Sequence, residues 1–161
     1  MIYYASTPSI IGEILIISDG RHIIRVHMDQ QKYVAEIDSS WIENPELEPI
    51  AQTINQLTAY FAGTRKVFNL PLLLQGTEFQ KKVWQELVNI PYGKTISYGT
   101  LAQRIRNPNA SRAVGLASGK NPIAIIVPCH RVIGSKGSLT GYGGGLPRKK
   151  QLLEMESGLL F

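Results

Sequence analysis

The only cysteine of this chain, Cys129, stands in the run Pro128-Cys129-His130-Arg131, a candidate nucleophile with a candidate base beside it. A lone cysteine is by default a buried small hydrophobe. The neighbours argue for chemistry. His130 and Arg131 bring positive charge that favours the thiolate, and Pro128 restrains the preceding backbone. Adjacent residues of an extended chain point to opposite faces, so His130 needs a bridging water or a local kink to reach the sulfur. His130 can take the thiol proton if a third group fixes its tautomer, and Glu156 is the candidate for that place. A Cys-His pair also fits a protease or thiol hydrolase, although those draw the two residues from distant segments. His22 and His27, five apart in an expected strand, face opposite sides and with one cysteine make no zinc site. No metal and no cofactor are expected.

Hydrophobic periodicity outlines the elements that must position these residues. Residues 2–5, 10–17 and 22–28 are β-favouring runs separated by Pro8 and Asp19-Gly20, a small antiparallel sheet of three strands or similar. Ile50, Ile54, Leu57 and Phe61 recur at helical spacing before Gly63, and residues 67–74 read as extended. Thr77 and Gln80 have capping-box spacing, with Phe79, Val83, Leu87 and Ile90 along one side of the helix that follows. Residues 98–105 and 110–118, joined by Asn107-Pro108-Asn109, read as a helix-turn-helix or an ordinary helical hairpin, with Gly119 as C-cap. The apolar run 123–127 reads as a buried extended segment that delivers Cys129, and glycines 134, 137, 141 and 143–145 as a flexible loop around Tyr142. Pro147 opens a last helix toward Glu156. Its charges oppose the macrodipole, with Arg148, Lys149 and Lys150 at the start and Glu154 and Glu156 at the end. That makes sense if the basic end meets phosphate and Glu156 has a positive or hydrogen-bonding partner, although a tolerated, solvated helix is the commoner reading of such a pattern. The glycines of 141–145 lack the strand and acidic residue of a dinucleotide fingerprint.

The 161 residues, 43% hydrophobic and 18% charged, describe an α+β globular protein of two small domains, 1–76 and 77–161. No apolar run approaches the roughly 18 residues of a membrane span, and no basic, then apolar, leader precedes the first strand. A single cysteine suits a reducing, cytoplasmic setting. Residues 1–76 carry five Lys/Arg and eight Asp/Glu, a balance of −3, whereas 77–161 carry twelve and four, a balance of +8. A polyanion such as DNA is attracted to the second half through counterion release, although a solvated basic face has the same composition.

The stretch Ile125-Ile126-Val127-Pro128-Cys129-His130-Arg131-Val132-Ile133 closely resembles the active-site signature of the 6-O-alkylguanine-DNA alkyltransferases, the methylated-DNA:protein-cysteine methyltransferases. The resemblance extends through Pro91-Tyr92-Gly93, Ser97-Tyr98-Gly99, Ser111-Arg112-Ala113-Val114-Gly115, Asn121-Pro122 and Tyr142-Gly143-Gly144-Gly145 to Glu156, about half the chain. It implies DNA repair by a direct, irreversible, single-turnover transfer of the alkyl group from the 6-oxygen of guanine to Cys129. Activation comes from His130 through a water, and Glu156 orients the imidazole. Tyr142 then hydrogen-bonds the base, and the backbone N–H of Gly143, where many members have serine, lies near the departing oxygen. Val132, Gly143 and Gly144 line the base pocket. Reaching the 6-oxygen requires flipping the base out of the duplex. The resemblance assigns Arg112 to fill the gap, Tyr98 to rotate the phosphate, Ser111, Ala113 and Gly115 to the DNA-binding helix, and Asn121 to the hinge behind it. It implies a small ribonuclease-H-like N-terminal α/β domain, a mainly helical C-terminal domain binding double-stranded DNA in the minor groove, and a monomer whose cooperativity along DNA stays open. Two other functions compete. One is a lesion-flagging module like the alkyltransferase-like relatives, which replace the cysteine; the other is a turnover thiol hydrolase.

Overall fold

The computed structural model describes residues 1–31 and 36–161. Strands β1 (Tyr3–Thr7), β2 (Ile14–Ser18) and β3 (Ile23–Met28) pair antiparallel, and a two-residue strand β4 (Ile42–Glu43) adds to β1 in parallel, giving the order β3-β2-β1-β4. Sequence periodicity did not reveal β4, which is too short to carry any. The strand expected over 10–17 begins only at Ile14, because Gly12 N–H bonds Ser9 C=O at 3.1 Å and turns the chain first. The pairing of Ala5 with Ile16 puts two buried residues opposite each other, and Ile14, Val26 and Met28 join them beneath helix α1 (Glu48–Phe61).

Helix α1 starts with Pro49 in its first turn. Its buried stripe is Ile50, Thr53, Leu57 and Tyr60, while Ile54 and Phe61 are only half-buried. The apolar periodicity therefore placed the face about one residue off. Thr53 is tolerated inside because its hydroxyl donates to Pro49 C=O at 2.7 Å, and Tyr60 because its hydroxyl has a buried acceptor.

Helix α2 (Glu78–Leu87) has the capping box expected of Thr77 and Gln80. Trp84 Nε1 on this helix donates to Ala117 C=O at 2.8 Å, joining it to α4 (Ser111–Gly119). The two-residue strand β5 (Ile96–Ser97) pairs parallel to β6 (Val132–Ile133). Helices α3 (Tyr98–Arg104) and α4 (Ser111–Gly119) form the helix-turn-helix, with Ser97 Oγ capping α3 through Thr100 N–H at 3.0 Å. Gly119 is the last residue of α4 and not a left-handed cap; Lys120 closes the helix at φ −96°. Helix α5 (Leu146–Ser157) is capped by a left-handed Gly158.

The chain is α+β, with its sheet in the N-terminal half and its helices mostly in the C-terminal half. One buried apolar cluster runs through both, from Ala5 to Leu152. The edge of β3 is covered from the C-terminal side: Val26 N–H bonds Pro122 C=O and Ala124 N–H bonds Val26 C=O, each at 2.9 Å. Among the described residues no helix is long and apolar enough to cross a membrane.

Candidate functional site around Cys129

The segment expected to be an extended strand before Cys129 is a buried turn. Ile126 N–H bonds Ala124 C=O at 2.8 Å and Val127 N–H bonds Ile123 C=O at 3.0 Å. Between them Ile125 has φ +72°, a left-handed conformation that is rare for a β-branched residue and is held there by packing. Burial was read correctly and conformation was not, since an apolar β-branched run states that a segment is inside without stating its path. Asn121 fixes this turn from both ends: Nδ2 donates to Val127 C=O at 2.7 Å and Oδ1 accepts from Ile123 N–H at 3.0 Å. Pro128, at φ −83° and ψ 65°, then forms an inverse γ-turn, with Cys129 N–H on Val127 C=O at 2.8 Å. Residues Cys129–Arg131 make a single 3₁₀ turn. This is the local kink that a Cys-His neighbour pair requires, and it sends the side chains of His130 and Arg131 together onto Glu156.

His130 is fully buried and its Nε2 lies 2.8 Å from Glu156 Oε2. Arg131 turns the same way, with Nε on Glu156 Oε1 at 2.8 Å, Nη2 on Oε2 at 3.0 Å and Nη1 on Ile90 C=O at 2.7 Å. Tyr60 donates to Oε2 as well. Burial by itself would push the Glu156 carboxyl up, but the hydrogen bonds from His130 and Arg131, with the Arg131 charge, hold it well below the usual carboxylate range. Glu156 is therefore an anion at neutral pH. Burial lowers the basicity of His130, partly opposed by the Glu156 hydrogen bond and charge, so the imidazole is neutral at rest. With Nε2–H donated to Glu156, Nδ1 is left as the acceptor, and it has no protein partner among the described residues.

Cys129 is 7% exposed, and burial pushes its thiol up. A hydrogen bond from Asn121 and the charge of Lys149 draw it partly back. The sequence expectation that His130 and Arg131 supply this charge is corrected here: Glu156 binds both, and the cation facing the sulfur is Lys149. The resting cysteine is a thiol that needs a base.

Lys149 also corrects the reading of α5 as a helix whose basic start meets phosphate. It is fully buried, and its Nζ donates to Val132 C=O at 2.6 Å and Thr140 C=O at 2.7 Å. Arg148 binds Ile11 C=O at 2.8 Å together with the carbonyl and carboxylate of Asp29. Of the three basic residues only Lys150 faces solvent. The second half of that expectation holds, because Glu156 does have cationic and hydrogen-bonding partners.

Tyr142 lies near Cys129, buried, with a hydroxyl that has no protein partner among the described residues. Beside it a Cβ on Gly144 would stand 2.7 Å from both Met28 Cε and Tyr142 Cε2, so only glycine lets these chains approach. A Cβ on Gly143 would lie 3.3 Å from Gly119 C=O and 3.5 Å from Gln31 Nε2. Val132, fully buried, follows the 3₁₀ turn as the first residue of β6.

Tyr98 and α4 stand on the adjoining surface. The Tyr98 hydroxyl donates to Thr140 C=O at 2.9 Å and its ring packs 3.6 Å from the position of a Cβ on Gly115. Along α4, Val114, Ala117 and Ser118 are buried, Ser111 and Gly115 half-buried, and Arg112, Ala113 and Leu116 exposed. The outer face of α4 is thus small and apolar with one projecting arginine. Lys82, Lys94, Arg104, Arg106 and Lys136 are exposed elsewhere on the same half. The structure brings Cys129, His130, Glu156, Tyr142, Asn121 and the glycine wall together and sets Arg112 and Ala113 apart on the outer face. Sequence reasoning missed Tyr60 and the inward turn of Lys149. An unusual basic start to α5 was the signal for the latter; for Tyr60 there was none.

Two family models cover nearly the whole chain: the 6-O-methylguanine DNA methyltransferase ribonuclease-like domain matches residues 2–74, and the DNA binding domain of the same description matches 78–158. A methylated-DNA–protein-cysteine methyltransferase of Methanosarcina acetivorans is 52% identical over 154 residues, covering 96% of this chain and 97% of the relative. One from Mycobacterium tuberculosis is 49% identical over 156 residues, covering 97% and 93%. Among solved structures, Mycobacterium tuberculosis OGT in complex with DNA superposes with a TM-score of 0.90 at 47% identity over 97% of this chain and 93% of that one. The O6-methylguanine-DNA methyltransferase of Pyrococcus kodakaraensis superposes at 0.62, with 27% identity over 97% and 99%.

Proposed function

The chain belongs to the 6-O-methylguanine DNA methyltransferase family, and from that membership we propose that it repairs DNA by taking the alkyl group of a 6-O-alkylated guanine onto Cys129. The observation that carries this reading is the buried thiol one residue from a neutral histidine whose Nε2 is tied to an anionic carboxylate. The family's activity supplies the reaction, and the geometry suggests how this chain performs it.

His130 Nδ1 accepts the Cys129 proton through a water, and Glu156 stabilises the imidazolium that results. The Lys149 charge favours the thiolate as it forms. The sulfur attacks the alkyl carbon, the S–C bond forms as the C–O bond breaks, and the electron pair leaves on the guanine 6-oxygen. The Tyr142 hydroxyl and the Gly143 N–H are the donors for the base and that oxygen, a kind of preorganised help worth several kcal/mol. The thioether is stable and nothing at the site reverses it, so each molecule acts once.

DNA lies against the outer face of α4 in the minor groove, where Ser111, Ala113 and Gly115 allow close approach and Arg112 replaces the flipped base in the stack. Tyr98, anchored to the Thr140 carbonyl, guides the phosphate. The two units divide at residue 76, and the protein works as a monomer in the cytoplasm without metal or cofactor. Gly143 in place of the family's frequent serine keeps the donor, because that donor belongs to the backbone.

Mass spectrometry after mixing the protein with duplex DNA containing 6-O-methylguanine tests this. One methyl per chain, on Cys129, is expected, and none on Cys129→Ser, which still binds DNA. Repeated turnover or a methyl on another residue refutes the assignment.

A further inference from the structure

The carboxylate that orients His130 is also held from the other half of the chain. Tyr60, on α1 and 96 positions before Glu156, is fully buried and donates its hydroxyl to Glu156 Oε2. This is the oxygen that faces His130 Nε2 at 2.8 Å. The phenol is fixed in place: its ring meets Phe61 at 5.1 Å and 76°, Phe68 at 5.3 Å and Tyr92 at 6.2 Å and 84°. Burial and the Glu156 charge keep Tyr60 protonated far beyond the ordinary tyrosine range, so it is a permanent donor.

We propose that Tyr60 is a positioning residue for alkyl transfer, which reaches across from the N-terminal unit to hold Glu156 and limits how strongly its Oε2 draws a proton onto His130. The proposal rests on the reading of His130 as the base. A base in this role must be neutral before the reaction and cationic after it. Glu156 alone favours the cation throughout. Each further donor on Oε2 shares the carboxylate's charge and weakens that bias. The other groups around the pair are Arg131 on the 3₁₀ turn, Lys149 on α5, Tyr92 after α2, and the buried Cys129 and Tyr142. Arg131 and Lys149 work in the same direction as Tyr60, by disfavouring a further positive charge on His130. Tyr60 is the contribution that the N-terminal unit makes to the chemistry, in addition to covering the core.

The test is Tyr60→Phe, which keeps the ring contacts and removes the hydroxyl. Second-order rates of transfer from duplex 6-O-methylguanine are measured from about pH 4 to about pH 9, a window that extends below the ordinary histidine range because burial lowers His130. The acid limb should move up by about half a unit to one unit, so that rates at the acidic end fall about three- to tenfold while the plateau changes by less than about twofold. A loss by one common factor at every pH would mean that Tyr60 only supports the fold, and an unchanged profile would mean that it does nothing to His130. Either result overturns the proposal. NMR titration of the His130 ring in Cys129→Ser, with Tyr60 present or replaced by Phe, asks the same question without any transfer. Titration at higher pH in the Phe variant is expected, and identical titrations refute the coupling even if the assignment of the reaction were wrong.

Discussion

Replacing Lys149 by Met tests whether α5 turns a charged lysine into the protein. The two side chains have similar length, and methionine removes the charge and the three donors. In the folded chain Lys149 is fully buried and burial lowers its pKa from 10.5 to about 8, partly opposed by the nearby Cys129. A lysine with a lowered folded pKa binds its proton less tightly in the native state than in the unfolded one. Between pH 8 and pH 10.5 the unfolded chain therefore holds more protons, and stability rises with pH. From about pH 7 to about pH 9.5 the folded lysine goes from roughly 90% charged to a few per cent, and the unfolded lysine falls only from essentially full charge to roughly 90%. The ratio of the two binding polynomials changes about 30-fold, which is about 2 kcal/mol. Cys129 acts in the opposite sense, because its folded thiol is pushed up, and since Lys149 itself draws that thiol partly back the comparison is made with Cys129→Ser in both proteins, which removes the thiol from the balance. Urea unfolding of the two proteins, without and with Lys149→Met, at the two pH values gives the quantity directly. The protein that keeps Lys149 should gain about 2 kcal/mol relative to the variant on going to the higher pH. At neutral pH the variant leaves the carbonyl of Val132 without its Lys149 donor, at about 1–3 kcal/mol, and that of Thr140 with Tyr98 as its remaining donor, against relief from burying a charge. The sign at one pH is thus less informative than the slope. A difference between the two proteins that is flat between the two pH values would show that Lys149 reaches water, and its place beside the sulfur would have to be abandoned.

Arg112→Ala should slow repair of duplex DNA far more than reaction with the free alkylated base, because the free base needs no unstacking; the flipping equilibrium is worth on the order of a few kcal/mol, and each 1.4 or so is about tenfold in rate. Equal losses on the two substrates would remove Arg112 from the stack. Gly144→Ala should destabilise the fold by about 1–3 kcal/mol and slow transfer, since its Cβ meets Met28 Cε and Tyr142 Cε2 at 2.7 Å. Gly119→Ala, whose Cβ meets nothing within 4 Å, is its control in thermal unfolding, and matched losses in the two variants would contradict the close packing at Gly144.

Local signals set by short-range physics were legible in the sequence. The Thr77–Gln80 capping box needs only a three-residue spacing, and it forms. The two short helices around Asn107-Pro108-Asn109 follow from turn chemistry and apolar spacing, and they form as well. Cys129, His130 and Glu156 were identifiable as a set through their types and the surrounding signature, and the fold brings them together. The charge excess of the second half was countable, but its direction in space was not. Lys149 and Arg148 look like phosphate ligands in a list of residues, yet both point inward to carbonyls contributed by distant segments. Residue type fixes a charge, whereas the face of a helix that packs fixes where that charge goes.

The same distinction explains the turn before Cys129 and the role of Tyr60. An apolar run must be buried for the free energy of removing it from water, and strand, helix or turn satisfies that requirement equally. What selected the turn at Ile125 was the pair of hydrogen bonds from Asn121 and the docking of Ala124 on Val26, none of which a local pattern contains. Tyr60 stands outside the apolar spacing of Ile50, Ile54, Leu57 and Phe61 and drew no attention in the sequence, because its polar tip has no value to the core until an acceptor is buried with it. That acceptor, Glu156, lies 96 positions later, and only tertiary packing, which excludes water from both, makes their hydrogen bond obligatory.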